Sequence, residues 1–168
     1  VRYDISNLTM STGELVYGEP IQLSLSLDAK ANKPELTAAI KLASTLVYDL
    51  DNETFAIAPL DLTTTLVGPN VPNRSADISL KTAINIDMGE ETLAINDLQF
   101  NALGTSLTGT INASNIQSDK PSFQTSLKLT GNDLATLFKV AEIEPLATQI
   151  ARLNNRSFDF AAAINERA

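Results

Sequence analysis

The side chains that could support catalysis or metal binding are carboxylates near two predicted turns. Glu90 and Glu91 are adjacent, and Asp49, Asp51 and Glu53 alternate along the chain. Paired carboxylates can serve as general acid and base or bind a divalent cation. The second group lacks the glycine and the terminal glutamate spacing of a calcium loop. We therefore interpret both groups as solvated turns, and we expect no catalytic, metal or cofactor site.

The composition argues against other chemistries. The 168 residues include no histidine and no cysteine, which removes the commonest general base and the commonest transition-metal ligand. No serine lies in a nucleophile-elbow sequence. The net charge of −8 argues against nucleic acid as a partner and against a polybasic membrane-surface patch. The composition predicts a protein that is not an enzyme.

An internal repeat organises the middle of the chain, at about 36–66 and 74–104. Each unit has a long alternating strand, a turn and a second alternating strand, and Thr54 of the first unit corresponds to Thr92 of the second. In both second strands the period of two is broken by a gap of three between large apolar residues. The gaps are Ile57 to Leu60 and Ile95 to Leu98, with a shorter third copy at Ile5 to Leu8.

The three-residue gaps predict β-bulges. Side chains alternate between the two faces of a strand, so a gap of three would turn the later residues to the other face. One extra residue in a bulge restores the register and bends the strand. Ser44 and Thr82 interrupt the apolar faces at equivalent repeat positions. Their hydroxyls could make a polar contact inside a groove. Alternatively, they bond to a neighbouring strand or are tolerated near an edge of the sheet, and we favour this alternative.

The remaining segments complete one predicted domain over 1–168. Alternating or apolar patterns predict further strands at 3–12, 20–29, 106–115, 122–130 and 158–164. Helical spacing of apolar residues predicts a small two-helix cap at about 132–153. The fold class is therefore mainly β, with a long, antiparallel, bulged and curved sheet that forms a groove or a flattened, barrel-like shape.

The two predicted helices are too small to cover the predicted sheet. About nine strands span roughly 40 Å, whereas a helix of about ten residues is only about 15 Å long. A large apolar face does not stay exposed on a soluble monomer. The sheet must fold on itself as a sandwich or barrel, curl into a groove for an apolar ligand, or pair with another chain.

Several stretches resemble the AsmA family of bacterial envelope proteins, in the region after that family's anchored N-terminal part. They are ISNLTMSTGEL at 5–15, PIQLSLSL at 20–27, LAINDL at 93–98, LTG at 107–109, GNDLATLFK at 131–139 and SFDF at 157–160. The resemblance implies a periplasmic body held in the bacterial inner membrane by one helix. It also implies a role in outer-membrane assembly, by conducting phospholipids along a hydrophobic β-groove. It carries no catalytic motif.

The chain begins at Val1 within a predicted strand and has no run of about 18 apolar residues. We therefore expect a fragment of a longer protein, with its membrane anchor outside this sequence. The expected partners are phospholipid or another apolar ligand, and adjacent segments of the full-length protein.

Alternation alone selects the side chains that would line such a groove. The predicted lining residues are Ile40, Leu42, Leu46, Tyr48, Ile78, Leu80, Ile84 and Ile86. The alternative hypothesis is a closed β-sandwich with a dry core, acting as an interaction or structural module.

Overall fold

The computed structural model describes residues 2–16 and 18–131, together with the backbone of 158–166. Nine antiparallel strands form one sheet, and neighbours in the chain are neighbours in the sheet. The strands are β1 (Tyr3–Thr12), β2 (Ile21–Asn32), β3 (Glu35–Asp49), β4 (Thr54–Val67), β5 (Ser75–Asp87), β6 (Thr92–Ala102), β7 (Thr105–Ser114), β8 (Ser122–Gly131) and β9 (Phe158–Glu166). A 3-10 turn at Pro72–Arg74 connects β4 to β5. The edge strands β1 and β9 do not pair with each other, so the sheet is open.

The prediction of a mainly β fold is confirmed, and so are the two long repeat hairpins. Strand β3 has 15 residues and β5 has 13, where five or six residues would be usual. The predicted two-helix cap at about 132–153 lies outside the described residues. The flattened, barrel-like shape and the alternative of a closed sandwich are both wrong for the described strands, because all nine belong to one open sheet.

All three predicted β-bulges are present. The pairing of β4 with β5 shifts between Ile57 and Leu60, and that of β6 with β7 shifts between Ile95 and Leu98. The pairing of β1 with β2 shifts between Ser6 and Thr9. In each case the bulged strand contributes two residues opposite one residue of its partner. The extra residue keeps the later apolar side chains on their original face, as the alternation required.

The register joins the apolar side chains of successive strands into rows, because directly paired residues of an antiparallel sheet share a face. The central row consists of Leu25, Leu42, Leu62, Leu80, Phe100, Leu107 and Leu129. The isoleucine row consists of Ile21, Leu46, Ile57, Ile84, Ile95 and Ile111. We call the face that carries these two rows the apolar face.

The opposite surface, the polar face, carries hydroxyl, amide and charged side chains. Thr9 hydrogen-bonds to Ser26, and Ser11 to Ser24, each at 2.6 Å between hydroxyl oxygens. Asp61 and Lys81 are directly paired and form an ion pair of 2.9 Å. This two-sided pattern is typical of an antiparallel sheet with one face in water.

The described part of the chain has almost no closed core. Its only buried apolar residues are Val71, Ala102 and Ala113, and none of its large side chains is fully buried. Side chains of the central and isoleucine rows within β2 to β8 are half-buried. They contact their neighbours within the sheet, while no second layer of described residues covers them. Among the described residues, the apolar face is therefore an uncovered surface of the sheet.

Strands β7 and β8 approach each other closely at Gly109, which has no side chain. Its φ of 153° is rare for residues with a side chain, and a Cβ there would overlap the carbonyl oxygen of Ser126. We expect Gly109→Ala to lower the free energy of unfolding by more than about 1 kcal/mol, measured by urea denaturation. Gly89→Ala is the matched control, because the nearest atom to its Cβ would lie 3.5 Å away. Equal stability of the two variants would contradict this account of Gly109.

Candidate functional site

The structure brings the eight predicted lining residues together on four neighbouring rows. In each row, one β4 residue pairs with a β3 residue on one side and with a β5 residue on the other. The four rows are Ile40–Thr64–Ile78, Leu42–Leu62–Leu80, Leu46–Ile57–Ile84 and Tyr48–Phe55–Ile86. All eight predicted side chains are half-buried and lie on the apolar face. Their placement on one surface is therefore observed, whereas their contact with a ligand stays a prediction.

The sequence analysis did not assign the β4 residues that join these rows. Leu62, Ile57 and Phe55 complete the apolar surface between β3 and β5. The surface continues through β6 to β8 by way of Phe100, Leu107 and Leu129. The alternation of apolar and polar residues in those strands was the sequence signal that could have identified them. The sequence contained no information on which alternating residues would meet across the sheet.

The apolar face extends over most of the sheet. The distance from Ile40 to Tyr48 along β3 is about 26 Å at about 3.3 Å per residue, and β2 to β8 span about 29 Å across the strands. This footprint also contains the small or polar residues Ser44, Thr64, Thr82 and Gly109. Within β2 to β8, no charged side chain lies on the central row, the isoleucine row or the four rows above. Such a surface is suited to binding an uncharged partner.

A third row lies between the central row and the isoleucine row, at the height of the bulges of β4 and β6. This bulge row consists of Leu23, Ser44, Leu60, Thr82, Leu98, Gly109 and Leu127. Leucine on even-numbered strands alternates with a small residue on odd-numbered strands. Ser44 and Thr82, from equivalent repeat positions, therefore flank Leu60 in one row.

The two interrupting hydroxyls have different surroundings. The Thr82 Oγ1 donates a hydrogen bond of 2.9 Å to the carbonyl oxygen of Asn96, at the β6 bulge. This confirms, for Thr82, the interpretation of a hydroxyl bonded to a neighbouring strand. Ser44 is 8 % exposed, and its Oγ has no hydrogen-bond partner among the described residues. For Ser44 that interpretation is wrong. The Oγ1 of Thr105, on the same face, is also buried without a described partner.

This difference predicts opposite effects of removing the two hydroxyls. Thr82→Val leaves the Asn96 carbonyl without its donor and should lower the free energy of unfolding by about 1 kcal/mol or more. Ser44→Ala removes a buried hydroxyl that makes no bond, so stability should be unchanged or higher. Thermal and urea unfolding of both variants provide the measurement. A larger loss for Ser44→Ala than for Thr82→Val would contradict the assigned bonding.

The predicted carboxylate groups form turns. The Asp49 carboxylate accepts hydrogen bonds from the backbone amides of Asp51 and Asn52 and from the Asn52 side chain. At the equivalent position, Asp87 accepts a bond of 2.7 Å from the amide of Glu90. Glu53 and Glu91 share a left-handed backbone, with φ of 53° and 51°. Within the described residues, no group of three acidic side chains is arranged to hold a metal ion.

The turn bonds also determine how Asp49 responds to pH. The Asn52 side chain, followed by the backbone amides of Asn52 and Asp51, holds the pKa of Asp49 below its ordinary value of 3.8. A carboxylate with a lowered folded pKa stabilises the fold above its unfolded pKa, and this contribution is lost as the pH falls through the folded pKa.

Asp49→Asn should therefore reduce the urea midpoint slightly at neutral pH. The deficit should shrink below pH 3.8, because the parent carboxyl then also becomes neutral. Asp51→Asn is the matched control, since it removes the same charge from the same turn. The Asp51 side chain accepts no hydrogen bond from any described residue. A deficit that persists unchanged in acid would refute this linkage.

A shallow depression lies across β1 to β4, mainly on the polar face. Its volume is about 360 Å³. Its lining residues are Ser11, Thr12, Gly13, Gln22, Leu23, Ser24, Ala43, Ser44, Thr45 and Pro59. The side chains of Ser11 and Ser24 bond to each other. The depression is confined to β1 to β4, whereas the apolar face extends across β2 to β8, and we regard the apolar face as the stronger candidate site.

No protein-family model, curated protein or solved structure matches this chain. The AsmA resemblance accordingly stays a prediction. In the described part of the chain, helices long and apolar enough to cross a membrane were not found.

Proposed function

We propose that this chain is a non-catalytic segment of a periplasmic protein anchored in the bacterial inner membrane. In this proposal the protein takes part in outer-membrane assembly and shelters or conducts phospholipid acyl chains. The observation that carries the proposal is the continuous, uncharged apolar face, which no second layer of described residues covers. The resemblance to AsmA proteins supplies the expected location and process.

The bulge row supports a curved, groove-like sheet. A bulge bends its strand, and the bulges of β4 and β6 both lie beside Thr82 and Ala83 of β5. Alternation of large and small side chains is the usual way to fill the inner side of a strongly curved sheet. Ser44 and Thr82, the small members on β3 and β5, are among the most buried side chains of the described region. These features favour an apolar face on the inside of the bend.

Hydrocarbon fits this face better than a protein partner does. Protein interfaces contain about one hydrogen bond per 100–200 Å² and are enriched in aromatic residues and arginine. On this face, β2 to β8 carry no arginine, and their aromatic residues are Tyr48, Phe55, Phe100 and Phe123. The Thr82 hydroxyl is already bonded, and the Ser44 hydroxyl is buried. An acyl chain needs no hydrogen bonds and gains about 0.8 kcal/mol for each methylene group removed from water.

The polar face and the edges suit the proposed setting. Hydroxyl and charged side chains on that face remain in water, consistent with a body in the periplasm. Strand β1 is an exposed edge, with Tyr3, Ile5, Leu8 and Met10 between 61 % and 75 % exposed. In this proposal an adjacent segment of the full-length protein covers that edge.

Site-specific photo-crosslinking tests the proposal. A photoreactive amino acid at Leu62, in the middle of the apolar face, should form adducts with phospholipid when the protein is produced in bacterial cells with an intact envelope. The same amino acid at Thr63 points to the polar face and should not, because successive side chains of a strand lie on opposite faces. The measurement is mass spectrometry of the crosslinked protein.

Lipid extraction of the purified parent chain provides an independent measurement. Co-purifying phospholipid is expected, and Leu62→Asp should reduce its amount, whereas Thr63→Asp should not. Circular dichroism checks that both variants retain the sheet. An empty parent protein, together with equal crosslinking at positions 62 and 63, would contradict the proposed function.

A further inference from the structure

We propose that β1 is a pairing edge, and that in the 168-residue chain it pairs with β1 of a second copy to form an antiparallel dimer. This inference goes beyond the proposed function, because the pairing requires no lipid. The proposed function assigns the same edge to an adjacent segment of the full-length protein. A strand of that segment and β1 of a second copy use the same backbone groups of β1, so the two pairings exclude each other.

The first argument is that the edge of β1 is open and lacks the residues that usually block an edge. Among the described strands, β1 pairs only with β2, so the backbone groups on its other side have no strand partner. Native proteins often protect such an edge with lysine, proline or a very short strand. Strand β1 has ten residues without lysine or proline. Its one charged residue, Asp4, forms an ion pair of 2.8 Å with Arg2.

The second argument is the exposure of the β1 side chains on the apolar face. The register places Ile5 opposite Ala29 and Met10 opposite Leu25. Ile5 is 66 % exposed and Met10 is 70 % exposed. Ala29 and Leu25 have a strand on each side and are half-buried. A further strand beside β1 would therefore remove apolar side chains from water without changing the existing sheet.

The third argument is that β1 is complementary to itself. Its bulge at Asn7, where φ is 53°, shifts the alternation halfway along the strand. When two antiparallel copies are centred on this bulge, Ile5 lies opposite Met10 of the second copy, and Ser6 lies opposite Thr9. Apolar side chains then meet on one face and hydroxyls meet on the other, which are favourable cross-strand pairs. The bulges lie at the two-fold axis, so the segments on either side pair regularly.

The charges at the two ends of β1 favour the antiparallel direction. Where β1 begins, Arg2 and Lys30 outnumber Asp4, and Lys30 lies directly opposite Asp4. Glu14 and Glu19 lie in the loop that follows β1. An antiparallel pair brings the basic end of each strand beside the acidic end of the other, and such charge complementarity fixes register and orientation. A parallel pair would bring like charges together.

Disulfide crosslinking tests the pairing and its register, because the chain contains no native cysteine. Opposed residues of antiparallel strands have Cα atoms about 4.5–5.5 Å apart, within the range of about 4.4–6.8 Å that a disulfide spans. A mixture of Ile5→Cys and Met10→Cys chains should therefore form, on mild oxidation, a linked dimer with one chain of each variant. Ile5→Cys alone is the control, because the two copies of position 5 lie on opposite sides of the axis. Mass spectrometry identifies the linked chains.

Sedimentation velocity measures the association without an introduced cysteine. The parent chain should dimerise as its concentration rises. Met10→Lys should weaken the dimer about tenfold, because the two-fold symmetry removes two apolar cross-strand pairs. Leu50→Lys is the matched control, since it places the same charge at an exposed leucine in the turn between β3 and β4. Circular dichroism shows whether both variants retain the sheet.

Three results would overturn the inference. They are a parent chain that stays monomeric, a crosslink of Ile5→Cys alone that equals the crosslink of the mixture, and equal association of the two lysine variants. A selective crosslink in the mixture, together with a weakened Met10→Lys dimer, supports it. The lipid measurements on Leu62 and Thr63 are independent of these results, so the dimer and the proposed function can fail separately.

Discussion

The structure depends on one constraint. The sheet creates an apolar face that its own described strands do not cover, and exposure of such a face to water is unfavourable. Nine strands in sequential order form a single open layer. Their register collects leucine, isoleucine and phenylalanine side chains on one face, and the described region contains only three buried apolar residues. Burial of apolar surface is the dominant favourable term in folding and association. In the proposed function, an occupant of this face therefore contributes to the stability of the protein.

The bulges reconcile this face with strands of unusual length. Long strands accumulate twist, and a single slip of register would turn every later side chain to the wrong face. One extra residue at the same height in β4 and β6 bends the sheet while keeping Leu60 and Leu98 on the apolar face. Both copies of the internal repeat therefore contain the same β-bulge as well as the same pattern of residues.

Electrostatics has a local role. Asp49 and Asp87 occupy equivalent repeat positions and bind turn amides. The Asp61–Lys81 ion pair lies across the polar face, where solvent weakens its contribution. Charged side chains therefore organise the turns and lie on the polar face, whereas the apolar face carries none of them within β2 to β8.

The sequence by itself determined the strands, the three bulges and the composition of each face, because alternation and its interruption are local properties of the chain. The two repeat hairpins were predicted to within about two residues, and Asp49, Asp51 and Glu53 were correctly placed near a turn. Tertiary structure alone decided which hairpins lie side by side, since several orders of similar hairpins satisfy the same alternation. It also decided that Ile40 and Ile78 share a row, that β4 residues join them, and that Thr82 finds an acceptor while Ser44 does not. Those outcomes depend on the register between distant segments, which is set by hydrogen bonds across the sheet and has no signature within a single strand.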